Sequence, residues 1–115
     1  MTRYSSGKAG LTLPAHQALT VLGANIRTAR KRRNWTLEKM AGSMLVTRKT
    51  LSRLEAGDPA VGISVLAAAL HVLGLEHELQ DVASPEKDAV GTFSEKQRLP
   101  QRVRTRQGGT DDLDF

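Results

Sequence analysis

The sequence predicts an all-α fold: a compact five-helix domain over residues 14–83, between a flexible N-terminal arm (1–13) and a charged, largely disordered C-terminal tail (84–115). Three observations predict it. Apolar residues recur at the three- and four-residue spacing that places them on one helix face. Thr36 and Thr47 stand just ahead of two such runs, where a hydroxyl can accept a free backbone N–H, and Gly57 and Gly74 stand where runs end. Aromatic residues make up only 3% of the 115, so any core is aliphatic, built from Leu, Val, Ile, Ala and Met.

In chain order, residues 1–13, MTRYSSGKAGLTL, are small, polar and glycine-containing, as expected of an arm. Pro14 suits the first turn of a helix, where its missing N–H is no loss. Ala15, Ala18, Leu22, Ile26 and Ala29 then line one face of a helix ending near Arg33–Asn34. Gly23 weakens that helix or breaks it, so it is expected to begin in earnest near Thr20. The basic run Arg30–Arg33 falls in the last turn, where cations complement the carbonyl end of the dipole. Trp35 precedes the Thr36 cap and is expected to pack as a lid between helices.

Behind Thr36, Leu37, Met40, Ala41 and Met44 repeat at helical spacing. Behind Thr47, Leu51 and Leu54 do so until Gly57. The chain must reverse within Ser43–Val46, which leaves room only for a helix-turn-helix. Leu45 occupies the turn. Positive φ is strained for leucine, so a wider or differently wound turn is expected there. Asp58-Pro59 cannot continue a helix. Gly62 or Ser64 caps the next one, whose Val65, Leu66, Ala69, Leu70 and Leu73 exceed one narrow stripe, making it either the central core element or partly a dimer contact. Leu75–Val82 is expected to form a fifth helix with Leu75, Leu79 and Val82 inward. From Ser84 the texture turns to proline, glycine and charge without sustained period.

Charge is distributed unevenly. Of a net +5, residues 1–57 carry +9, residues 58–92 carry −5 and residues 93–115 carry +1. The second helix of the motif turns Arg48, Lys49, Thr50, Ser52 and Arg53 outward against the single acid Glu55. A cationic helix of this kind suits the major groove, where positive charge meets phosphate and donors meet base edges. The sequence contains no cysteine, which excludes disulfides, thiol catalysis and cysteine-based zinc sites. His71 and His77 do not share a helix face at ligand spacing. No glycine-rich phosphate loop or paired-carboxylate motif appears, so the expectation is no enzyme, no cofactor and no metal. With no apolar segment of membrane-spanning length and no signal core, a cytoplasmic protein is expected.

The stretch Trp35–Gly57 resembles the XRE-type helix-turn-helix of phage-repressor-like regulators, over roughly residues 20–83. The continuation LVTRKTLSRLEAGDPAVGISVLAAALHVLGL is more narrowly similar to HipB-type antitoxins, through Leu45, Gly57–Val61 and the later RLPQRVR run. The resemblance implies a transcriptional repressor that binds a palindromic double-stranded operator as a homodimer, autoregulates its operon and holds a HipA-like serine/threonine kinase toxin. It implies that Thr36 lies at the phosphate-facing end of the first motif helix, although Leu37 stands where the family often has glutamine. It also implies an internal charge pair, Arg30 with Glu55. From the residues themselves, Thr47 and Thr50 are the candidate phosphate anchors, Arg48, Lys49 and Arg53 the candidate base readers, and Ser52 a further contact. Two other readings stand beside this one: a free-standing regulator without a toxin, and a protein-interaction module that no longer binds DNA.

Overall fold

The computed structural model describes residues 10–98. They fall into two units that divide between Leu79 and Gln80. The first contains α1 (Leu13–Arg32), α2 (Leu37–Met44), α3 (Arg48–Glu55) and α4 (Ile63–Leu73), and α5 (Glu76–Gln80) begins at its end. α3 packs on both α1 and α2, and α4 closes over α2, with further contact to α1 and α3. The core they enclose is aliphatic, comprising Ile26, Met40, Ala41, Met44, Leu51, Leu54, Ala69, Leu70 and Leu73. Met40 and Leu51 are wholly inaccessible to solvent. Trp35 lies half-buried against this core, with the Arg33 guanidinium 5.9 Å from its ring centroid.

α1 departs from expectation at both its start and its middle. Thr12 caps it, its hydroxyl accepting the Ala15 N–H, so the helix begins at Leu13 rather than near Thr20. Gly23 does not interrupt it. A Cβ at this position would sit 2.5 Å from the Glu55 carbonyl oxygen and 2.6 Å from that of Leu54. Glycine is there because two backbones touch. Ala18, expected inward, is exposed, and Leu19 takes the half-buried place beside it.

Four helices end with the same device. Asn34, Leu45, Gly57 and Gly74 all have positive φ. After each, the next residue's N–H reaches back to a carbonyl five residues earlier: Trp35 to Arg30, Val46 to Ala41, Asp58 to Arg53 and Leu75 to Leu70. These are Schellman stops, which satisfy carbonyls left over at a helix end. Leu45 does not force the wider or differently wound turn expected of it; it adopts the left-handed conformation itself, at φ 62° and ψ 38°. Its side chain is 92% exposed, so no packing compensates the strain.

α4 is capped by the backbone at Gly62 rather than by Ser64, with no side-chain bond. α5 is shorter than expected and stops at Gln80, leaving Val82 70% exposed rather than inward. In the second unit the segment expected as tail carries a 3₁₀ turn at Pro85–Lys87 and α6 at Ala89–Arg98. Asp88 starts α6, its Oδ1 accepting the Gly91 N–H at 3.0 Å. That cap is local and readable, but the surrounding charge obscures it. Most of the RLPQRVR run, which begins at Arg98, lies outside the described residues.

Two substitutions test this packing by urea unfolding. Gly23→Ala should destabilise the domain despite alanine's advantage in helices of about 1 kcal/mol. Overpacking against backbone costs about 1–3 kcal/mol and should dominate; a gain in stability would contradict the contact. Leu45→Gly should do the reverse, raising stability by up to about 1 kcal/mol through relief of the left-handed strain. A loss there would mean that the leucine contributes something beyond its backbone.

Candidate nucleic-acid interface

α3 is amphipathic in a simple way. Leu51 and Leu54 are buried, while Arg48, Lys49, Ser52 and Arg53 are exposed on the opposite arc. Its first turn is tied by hydroxyls. Thr47 Oγ1 accepts the Thr50 N–H at 3.1 Å and lies 2.9 Å from Thr50 Oγ1. The two threonines expected to anchor phosphate are therefore coupled to each other, with Thr50 half-buried and Thr47 exposed. Thr36 does the same at the start of α2, accepting the Lys39 N–H at 3.0 Å. α2 and α3 thus each present a capped N-terminus, where unpaired N–H groups and the helix dipole favour an anion.

The base-reader candidates differ in how tightly they are held. Arg48 makes a loose contact with Glu38 at 3.5 Å, and both side chains are well over half exposed. Arg53 is held more firmly: its Nε donates to Asp58 Oδ2 at 2.9 Å. Lys49 and Ser52 are exposed beside them.

Beneath this surface lies an ion pair. Arg30 Nε donates to Glu55 Oε2 at 2.7 Å and Arg30 Nη2 to Glu55 Oε1 at 3.1 Å, a bidentate fork. Arg30 Nη1 donates to the Trp35 carbonyl at 2.8 Å. The two side chains are only 8% and 6% exposed. The hydrogen bond that Arg30 donates to Glu55 raises the Arg30 pKa against the desolvation that opposes it, and the Glu55 charge assists. A base whose folded pKa is raised contributes its stability at every pH below its ordinary value. Arg30 therefore stays charged across the physiological pH range.

Composition groups Arg30–Arg33 as one basic run, from which only the resemblance sets Arg30 apart as the partner of Glu55; the structure separates all its members. Arg30 is internal. Arg33 donates to the Ala29 carbonyl at 2.8 Å and to the Leu73 carbonyl at 3.0 Å, joining the ends of α1 and α4. Arg27, Lys31 and Arg32 remain exposed, the first two beside Thr20 and Thr28 in an open depression against the end of α3. Asp58 was missed as a partner of Arg53. The two are five residues apart, outside any helical spacing rule, and meet only because the stop at Gly57 folds the chain back.

A family described as a helix-turn-helix domain matches residues 21–83. No curated protein and no solved structure matches the chain. Among the described residues, no helix is long and apolar enough to cross a membrane.

The ion pair yields a direct test. Glu55→Ala leaves Arg30 buried without its carboxylate and should cost about 3–5 kcal/mol, read as a lower urea midpoint. Replacing both partners with Met and Leu should recover much of that loss. An unaltered midpoint in the single variant would remove the pair from the scaffold.

Proposed function

The chain belongs to the helix-turn-helix domain family, and from that membership we propose that it is a sequence-specific DNA-binding transcriptional repressor that binds without catalysing a reaction. The observation that carries the reading is the exposed arc of Arg48, Lys49, Ser52 and Arg53 on a helix fixed from behind by the Arg30–Glu55 fork. α3 enters the major groove. Thr36 and Thr47, with the free N–H groups of their helix ends, meet phosphates on either side, and Thr50 supports Thr47. Arg48, Lys49 and Arg53 address base edges, with Ser52 between them. The exposed cations of α1 add to the field that draws the duplex in.

A single module of this size makes few base contacts. The protein acts as a homodimer on a palindromic operator with half-sites about 34–36 Å apart, or a multiple of that. The similarity of Leu45, Gly57–Val61 and the RLPQRVR run to HipB-type antitoxins supports a narrower role. In it the protein autoregulates its operon in the cytoplasm and holds a HipA-like serine/threonine kinase toxin.

Footprinting upstream of its own gene, with the full chain, tests the DNA reading. Binding should weaken with salt by about 0.9 log units per log unit for each phosphate neutralised. Arg48→Glu combined with Lys49→Glu should lower affinity by about a hundredfold or more while leaving the fold intact. Unchanged affinity in that folded variant would end the proposal. Purification from the host tests the antitoxin role separately: a serine/threonine kinase should accompany the protein, and a protein recovered without one is a free-standing regulator.

A further inference from the structure

On the DNA-binding reading above, we infer that Asp58 is a positioning residue that sets base specificity by holding the guanidinium of Arg53 through its Nε. An arginine fork can meet a pair of acceptors along two edges, one formed by both Nη groups and one formed by Nε with a single Nη. Asp58 Oδ2 takes Nε at 2.9 Å, which leaves the Nη1/Nη2 edge. Among the described residues, neither Nη group of Arg53 has an acceptor. The two acceptors of a guanine edge, O6 and N7, match that remaining fork.

Asp58 is built to hold a fixed position. Its Oδ1 accepts the Ala60 N–H at 2.9 Å, and its own N–H donates to the Arg53 carbonyl at 3.1 Å. Pro59 follows and fixes the next φ. The aspartate side chain is 23% exposed against 45% for the arginine, so the acid is the more anchored member. An exposed pair of this type adds little to folding. Its effect is on the arginine, whose many rotamers it narrows before DNA arrives. Arg48 and Glu38 offer the contrast within the same domain: 3.5 Å apart, 63% and 70% exposed, and without such anchoring.

The test is selection of binding sites from a randomised duplex library by the full-length protein and its variants. Wild type should enrich a motif with guanine at one position that Arg53→Ala loses. Asp58→Asn keeps an acceptor for the Ala60 N–H but removes the charge. It should lose about tenfold discrimination at that same position, while the other positions hold and overall affinity stays level or rises. Arg53→Lys keeps the charge without the fork and should behave likewise. Glu38→Gln should leave the whole motif unchanged. Thermal melting of each variant confirms that it is folded. An Asp58→Asn variant that is folded and retains the full motif, or that shifts affinity equally for all sequences, overturns the inference and leaves DNA binding standing. A wild type that enriches nothing and shows no salt-dependent binding overturns the functional reading itself.

Discussion

The Arg30–Glu55 fork fixes where α3 can lie. It joins the last turn of α1 to the last turn of α3, and through the Trp35 carbonyl it also pins the link that leads into α2. Set against a well-packed apolar substitute, a buried pair of this kind is not a net source of stability, because desolvation offsets most of the attraction. Its contribution is directional. Two parallel hydrogen bonds define an orientation that a leucine contact would leave free to slide. Earlier on α1 the backbones touch directly, Gly23 against the carbonyls of Leu54 and Glu55, and Gly57 against Leu19 and Thr20. The end of α3 is therefore held along several turns of α1, and its exposed arc is presented by a rigid support.

The repeated Schellman stop explains how such short helices pack at all. Helices of eight residues are too short to persist alone. Each must be ended sharply and returned to the core. At three of the four stops the residue that follows is apolar and packs back on the core: Trp35, Val46 and Leu75. At the fourth it is Asp58, which turns to Arg53 instead. The exception falls on the helix that carries the cationic arc, so the same local geometry that closes the core elsewhere here organises the surface.

Much of this was legible from residue types. Thr36, Thr47 and Gly57 mark helix limits by local chemistry, and Met40, Met44, Leu51 and Leu54 mark the core by period. The features that were not legible depend on contacts between distant segments. Gly23 reads as a helix breaker unless the carbonyls of Leu54 and Glu55 are known to lie against it. Leu45 reads as an obstacle to a left-handed turn because its strain is visible, whereas the two backbone bonds that hold it there are not. Arg33 is indistinguishable from its neighbours until the Leu73 carbonyl arrives beside it. Asp88 had a readable cap signal, which was outweighed by the polar composition around it.

The placement of an acid beside a helix proposed to meet a polyanion is physically tolerable. At the protein–water boundary two unit charges 4 Å apart interact by about 1 kcal/mol in bulk water and about 4 kcal/mol at an effective dielectric of 20. Salt screens the interaction over about 8 Å under physiological conditions. Asp58 already meets a cation at 2.9 Å, so the pair presents to a distant phosphate little more than a dipole. On the proposed reading, Arg48 and Lys49 on the outward arc supply long-range attraction in addition to their base contacts. Attraction and orientation, on that same reading, thus draw on different features of the arc: the exposed cations steer the duplex, and the anchored Arg53 adds a base contact of fixed orientation.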